Sequence, residues 1–309
     1  MNTFSIAIHG GAGTLVKGMM TPELEAKYRS DLKLALDQGY AVLNQGGTAL
    51  DAVEVAVKVL EDSPLFNAGK GSVFTATESH EMDASIMDGK TLNAGAVSLI
   101  SGIKNPIRLA RDVMEKSEHV FLAGEGAMKF ANELNYKLED ASYFYDEFRH
   151  NQWLDIKDTD SFQLDHSTKK DSKFGTVGAV ACDQDGNIAA ATSTGGMTNK
   201  KWGRVGDSPM IGAGNYANNK TCAVSCTGSG EFFIRGVVAY DVSCLMEHKG
   251  MSLKSASEEV IHKRILEIGG DGGLIAVDRE GNIAMPFNTE GMYRASKTSG
   301  GKEEVSIYK

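Results

Sequence analysis

Apolar residues first gather over 4–8, a short run that ends in His9-Gly10-Gly11-Ala12-Gly13 and reads as a strand closed by glycines. Thr21-Pro22-Glu23-Leu24-Glu25 then supplies an N-cap, a first-turn proline and acidic partners for the helix dipole. A long helix is therefore expected to about Leu43, where Gly46-Gly47-Thr48 interrupts it. Ala52, Val53, Ala56, Val59 and Leu60 recur at helical spacing, which predicts a second helix over 49–60 packed beside the first. Beyond the loop around Asn67-Ala68-Gly69-Lys70-Gly71, segments 72–77, 82–87 and 94–100 read as strands, with Asp88-Gly89-Lys90 as a turn. Helices are expected over 105–114 and 125–134, and a strand over 119–122.

Residues 146–173 lose both periods and become rich in Asp, His, Lys, Ser and Thr, the pattern of a solvated linker. Directly after them Phe174-Gly175-Thr176-Val177-Gly178-Ala179-Val180-Ala181 forms an apolar run that reads as a buried strand. Segments 181–189 and 276–284 echo one another as strand-turn-strand hairpins, and 231–247 and 253–266 carry helical apolar spacing. Antiparallel strands with helices in runs imply stacked sheets flanked by helical layers, an α+β class.

A chain of 309 residues can bury a substantial core without staples. Cys182, Cys222, Cys226 and Cys244 sit in apolar stretches without zinc-ligand spacing and read as buried thiols of a reducing compartment. The N-terminus lacks a charged leader and no stretch nears the ~20 apolar residues of a membrane span, so a cytoplasmic protein is expected. On that expectation the sequon Asn219-Lys220-Thr221 is idle. A net charge of -9 argues against nucleic acid as a partner, because phosphate binding needs clustered Lys and Arg. GxSxG, the phosphate-loop pattern and HExxH are absent, and Gly124-Glu125-Gly126 has Lys129 where a nucleotide loop needs its third glycine. His80-Glu81-Met82-Asp83 lacks a ligand partner at a sensible offset, so neither a side-chain metal site nor a cofactor for chemistry is expected.

What remains is threonine and glycine at strand ends: Thr176, Thr192-Ser193-Thr194-Gly195-Gly196 and Thr227-Gly228-Ser229-Gly230. A threonine hydroxyl attacks only when a base takes its proton, and its own α-amine can do so once the residue is a chain terminus. A cut between Gly175 and Thr176 would create that group, and glycine permits the backbone shapes in which a peptide meets a hydroxyl. By type alone Thr176 reads first as a β-branched strand residue, and only its context favours the nucleophile. Arg204 and Asp207 lie close in a Gly- and Pro-interrupted loop, offering opposite charges to a zwitterion or forming a solvated surface pair.

These segments carry a resemblance. Gly175-Thr-Val-Gly-Ala-Val-Ala, Ala189-Ala-Ala-Thr-Ser-Thr-Gly-Gly-Met-Thr-Asn-Lys200, Gly203-Arg-Val-Gly-Asp-Ser-Pro209 and Ser225-Cys-Thr-Gly-Ser-Gly-Glu231 resemble the isoaspartyl peptidase/L-asparaginase, or plant-type asparaginase, family. His9-Gly-Gly-Ala-Gly13, Leu65-Phe-Asn-Ala-Gly-Lys-Gly-Ser72 and Met82-Asp-Ala-Ser-Ile-Met-Asp-Gly89 match it as well, so the likeness spans nearly the whole chain. It implies a four-layer α-β-β-α sandwich of the N-terminal-nucleophile hydrolase type, made as one precursor and matured to an α subunit, 1–175, and a β subunit, 176–309. A dimer of such pairs is implied too, with L-asparagine and β-aspartyl dipeptides as the small-molecule substrates.

Residue by residue, the likeness makes Thr176 the nucleophile, Thr194 its hydrogen-bonding neighbour, and Thr227 and Gly228 the oxyanion hole. Arg204 would grip the substrate α-carboxylate, Asp207 the α-ammonium, with a Gly230 carbonyl nearby, and Asn67 would lie near the nucleophile. Main-chain carbonyls of Leu60, Glu61, Ser63, Phe66, Ala68 and Lys70 would wrap a structural sodium or potassium ion. Two sister groups share fold and nucleophile. Glycosylasparaginases carry His-Asp where Phe174-Gly175 stand here, and a threonine endopeptidase would conflict with an Arg204 and Asp207 pair reading free α-groups. A non-catalytic scaffold is the alternative of another class, although every matched role is filled by a competent residue.

Overall fold

The computed structural model describes residues 3–158 and 175–309. Along the chain these form β1 (Ser5–Gly13), α1 (Pro22–Asn44), α2 (Ala49–Asp62), β2 (Met82–Asp88), β3 (Ala94–Ile100), α3 (Pro106–Lys116), β4 (Phe121–Ala123) and α4 (Gly124–Glu133). α5 (Ala141–Phe144), α6 (Glu147–Leu154), β5 (Val177–Cys182), β6 (Ile188–Thr194), β7 (Asn215–Ala217), β8 (Cys222–Gly228), α7 (Gly230–Gly236) and α8 (Val238–Lys249) follow. The remainder is α9 (Leu253–Glu259), a π turn over Val260–Arg264, α10 (Ile265–Glu267), β9 (Gly272–Asp278), β10 (Ile283–Ala284), β11 (Gly291–Thr298) and β12 (Glu303–Tyr308).

The strands make two sheets, one of eight in the order β12-β11-β1-β5-β6-β2-β3-β4 and one of four in the order β10-β9-β8-β7. All pairs are antiparallel except β3 with β4. Three apolar clusters hold this mixed α+β structure. Ile6 and Ile8 of β1 and Val177, Ala179 and Ala181 of β5 join α1, α2 and α3 in the first. The alternate residues Ala7, Val180 and Cys182 meet Ala223, Ile275 and Val277 of the smaller sheet in the second. The other face of β8 and β9 packs on α8 and α9 in the third. β5 is thus covered on both faces, which is why its sequence is continuously apolar instead of alternating.

The expected N-cap forms at Thr21, whose Oγ1 accepts from the Leu24 amide at 3.3 Å, and Thr48, read only as part of the break, caps α2 by accepting from the Asp51 amide at 3.1 Å. Four expectations fail. Residues 72–77 are not a strand, because side chains capture their backbone: the Val73 amide donates to Asn67 Oδ1 and the Thr77 and Ser79 amides to Thr75 Oγ1. The linker expected over 146–173 begins with α6, which Asp146 caps through the Arg149 amide and Trp153 anchors in a buried position. Positions 159–173, like Phe174, lie outside the described residues. The single helix expected over 231–247 breaks at Val237, whose left-handed φ of 48° separates α7 from α8. Cys244 is half-buried, whereas the other three cysteines are buried as expected. β11 and β12 were not anticipated; β11 pairs directly with β1.

Candidate active site

Thr176 immediately precedes β5, at the centre of the large sheet between β1 and β6. Thr194 closes β6 beside it, and the two hydroxyls meet, Thr176 Oγ1 donating to Thr194 Oγ1 at 3.1 Å. Ser208 Oγ lies 3.4 Å from Thr176 Oγ1. Thr194 Oγ1 also accepts from the Gly196 amide at 3.0 Å, so its position is set from its own backbone turn. Asn67 staples that turn: its Nδ2 donates to the Gly196 carbonyl at 2.7 Å, and its carbonyl accepts from the Gly195 amide at 3.0 Å.

Thr227, near the end of β8, brings the second sheet to the same point. A Cβ on Gly175 would stand 3.1 Å from Thr227 Oγ1 and 3.0 Å from Gly11 Cα. Gly11, at φ +110°, follows a bulge in β1, and a side chain there would press within 2.6 Å of Gly175 Cα. Only glycine lets the two backbones touch. Gly175, Thr176, Thr194, Thr227, Gly228, Asn67, Arg204 and Asp207 line one small cavity of about 40 Å³, with Ala12, Gly206 and Ser208.

The cavity is electrostatically polarised. Asp207 is 4% exposed, its Oδ2 lacks a hydrogen-bond partner among the described residues, and burial pushes its carboxyl up to about 7 despite the nearby Arg204 charge. Arg204 does not pair with Asp207. Its Nε and Nη2 donate to the two oxygens of Glu231 at 2.8 and 3.0 Å. A Cβ on Gly230 would lie 2.9 Å from both Arg204 Nη2 and Asp207 Oδ1, so the missing side chain lets the three groups converge. Buried Asp83 is also raised by desolvation, against the charges of Lys200 and Arg204.

Beneath the cavity runs a polar network between the sheets. His9 Nε2 meets Ser225 Oγ at 3.0 Å, and Ser225 Oγ meets Thr192 Oγ1 at 2.7 Å. Asn215 Nδ2 reaches both Thr192 Oγ1 and the Ser85 carbonyl, while Ser85 Oγ donates to the Ser208 carbonyl at 2.6 Å. Burial lowers His9 to about 3, so the imidazole is neutral at any physiological pH. Gly178 makes room for it, since a Cβ there would collide with Ser225 Oγ and His9 Nε2.

All the expected catalytic and substrate-binding positions therefore come together. Sequence reasoning assigned no role to Ser208, Glu231, Gly11 or the His9-Ser225-Thr192 network, although every one of these residues stood inside the quoted motifs.

The loop after α2 offers carbonyls for an alkali ion. A Cβ on Gly69 would meet the Glu61 carbonyl, and one on Gly71 the Phe66 carbonyl, so each oxygen lies against a glycine where a side chain is missing. The Leu60, Phe66 and Ala68 carbonyls accept from the Ser63, Ala68 and Gly71 amides, each keeping a second lone pair. Neutral oxygens of this kind fit a hard cation. The Glu61 carboxyl is engaged elsewhere, by the Ile107 amide at 3.0 Å and Ser193 Oγ at 2.7 Å.

The fold and site together define a mixed α+β protein whose sheets bring threonine hydroxyls, an arginine and a buried aspartate into one cleft. Comparison with known proteins makes the assignment specific: the family described as Asparaginase matches residues 2–307. The isoaspartyl peptidase of Escherichia coli (strain K12) is 51% identical over 307 residues, covering 98% of this chain and 96% of the bacterial one. The isoaspartyl peptidase/L-asparaginase of Xenopus laevis is 45% identical over 93% of this chain and 90% of its own. The plant-type L-asparaginase of Pyrococcus furiosus is 44% identical over 97% and 98%. The chain belongs to the isoaspartyl peptidase/L-asparaginase family. Among the described residues no helix is long and apolar enough to cross a membrane.

Proposed function

We propose that the chain is an autoprocessing threonine amidohydrolase that hydrolyses β-aspartyl (isoaspartyl) dipeptides and L-asparagine, releasing aspartate. The observation that carries this reading is the Gly175-Thr176 peptide lying in the polar cavity, with Thr194 Oγ1 at 3.1 Å from Thr176 Oγ1. The names of its relatives support the substrate class.

In maturation Thr176 Oγ attacks the Gly175 carbonyl carbon. The C–N bond breaks, the hydroxyl proton ends on the departing nitrogen, and water hydrolyses the resulting ester to free both Gly175 and the Thr176 hydroxyl. The new α-amine, with an ordinary pKa of about 7.7–8.0, then serves as base for the same hydroxyl. In turnover Arg204 grips the substrate α-carboxylate and Asp207 its α-ammonium, so the side-chain carbonyl points at Thr176. Thr227 and Gly228 stabilise the oxyanion, the leaving amine takes the proton, and water releases aspartate from the β-aspartyl ester. Nothing identified contacts the leaving group, so ammonia and an amino acid are both accepted.

The layering fits the four-layer α-β-β-α scheme. After cleavage the subunits 1–175 and 176–309 stay joined, because β1 lies between β11 and β5 while β2 pairs with β6. Carbonyls of Leu60, Glu61, Ser63, Phe66, Ala68 and Lys70 would hold sodium or potassium, which would stiffen the loop carrying Asn67. We further read the enzyme as a cytoplasmic dimer of αβ pairs, consistent with four free cysteines.

The test is a denaturing gel with N-terminal sequencing, followed by kinetics. Purified protein should give two fragments, one beginning at Thr176, and Thr176→Ala should remain a single chain. The matured enzyme should cleave asparagine and β-aspartyl-leucine but not α-aspartyl-leucine. Maturation of Thr176→Ala in the absence of proteases, or rapid cleavage of the α-linked peptide, would refute the reading.

A further inference from the structure

Among the described residues Arg204 lies near the carboxylates of Asp207, Asp83 and Glu231, and it is Glu231 that meets it in a forked geometry. Glu231 takes the side edge of the guanidinium, Nε and Nη2, at 2.8 and 3.0 Å. Among the described residues Nη1, on the end edge, has no hydrogen-bond partner. Nη1 lies 2.8 Å from the position a Gly206 Cβ would occupy, and Arg204, Gly206 and Asp207 all border the cavity. A guanidinium offers two such edges, each matched to a carboxylate, so one can be fixed by the protein while the other receives a ligand.

The chain geometry makes this arrangement rigid. Glu231 directly follows Gly230 in the first turn of α7, and Gly230 is the residue whose missing side chain admits Arg204 Nη2 and Asp207 Oδ1. The backbone that admits Arg204 and Asp207 beside the cavity therefore also carries the carboxylate that holds the guanidinium. Burial would push the Glu231 carboxyl up, but the two bonds from Arg204 hold it below the usual carboxylate range.

From this geometry we propose that Glu231 is a positioning residue of the substrate site: it clamps Arg204 by one edge so that the other edge presents a preformed receptor for an α-carboxylate. The inference rests on the functional reading above and deepens it. Glu231 touches no reacting atom. It acts by removing the freedom that Arg204 would otherwise lose on binding. It also sets the local charge, since with Glu231 and Asp207 both ionised the cluster favours a zwitterion over a simple dianion.

Glu231→Gln keeps the shape but leaves one acceptor oxygen in place of two, so the fork opens. KM for both asparagine and β-aspartyl-leucine should rise about tenfold, the loss expected for a charge-assisted hydrogen bond, with kcat within about threefold of the wild type. Glu231→Asp, a carboxylate one methylene shorter, should fall between. Calorimetry with L-aspartate and with β-alanine, which lacks the α-carboxylate, separates positioning from general disruption. Aspartate should bind the Gln variant about tenfold more weakly and β-alanine as before. Unchanged or tighter aspartate binding would overturn the inference, the second by showing that Glu231 competes with substrate. Equal weakening for both ligands would also overturn it, in favour of a merely structural role. Wild-type protein that bound no aspartate would refute the functional reading itself, a distinguishable result.

Discussion

Replacing Asp207 by Asn should make the protein more stable and nearly inactive. The carboxyl is buried, its Oδ2 has no partner among the described residues, and desolvation raises it from 3.8 to about 7. Below the unfolded value both states are protonated and the group contributes nothing to the pH dependence. Between 3.8 and about 7 the unfolded chain ionises while the folded one keeps its proton, so stability falls as pH rises and levels off above about 7. At 1.36 kcal/mol per pH unit the accumulated loss is about 4 kcal/mol at pH 8. Asn does not titrate and escapes it. Urea unfolding is best followed in the Thr176→Ala background, where the proposed function expects one uncleaved chain and a single transition. The gain from Asp207→Asn should be near zero at pH 4 and reach a few kcal/mol at pH 8. A gain equal at both pH values, or a loss at pH 8, would refute the claim that a charge is held there at the expense of stability. On the proposed reading the same ionised carboxylate pairs with the substrate α-ammonium, a charge that Asn would not supply.

Arg204→Lys keeps the charge but loses the fork, and a charge-assisted pair is worth about 1.5–3 kcal/mol, so kcat/KM should drop at least about tenfold while self-cleavage persists. An unchanged KM would remove Arg204 from the substrate site. Gly178→Ala drives a methyl into Ser225 Oγ and His9 Nε2 between two sheets, which should cost about 1–3 kcal/mol; an unaltered urea midpoint would contradict the packing. Trp202 is 97% exposed and left-handed at φ 56°, in a turn where the Arg204 amide donates to the Lys201 carbonyl at 3.0 Å. Trp202→Asn should relieve about 1 kcal/mol of strain and raise the melting midpoint by about 2 °C, without loss of packing. A lower midpoint would mean that the ring has a covered partner.

Local signals in the chain determined much of the architecture. Thr21 announced α1, the spacing of Ala52, Val53, Ala56, Val59 and Leu60 announced α2, a glycine turn joined β2 to β3, and the unbroken apolar run after Gly175 announced a buried strand. These are short-range effects, settled by capping, backbone preference and periodicity. The resemblance of the motifs likewise picked out Thr176, Thr194, Arg204, Asp207 and Thr227. Where competition is between distant partners, the chain alone was silent or misleading. Residues 72–77 have strand-like composition, yet the Asn67 and Thr75 side chains take their backbone donors. α6 forms in a stretch that looks like linker because Asp146 caps it and Trp153 finds a buried seat. Arg204 and Asp207 look like an ion pair three residues apart. Only the tertiary structure decides that Glu231 takes the arginine, because α7 delivers a second carboxylate with better forked geometry. That choice leaves Asp207 buried, unpaired among the described residues and raised, a property set by what surrounds the side chain and not by its place in the sequence.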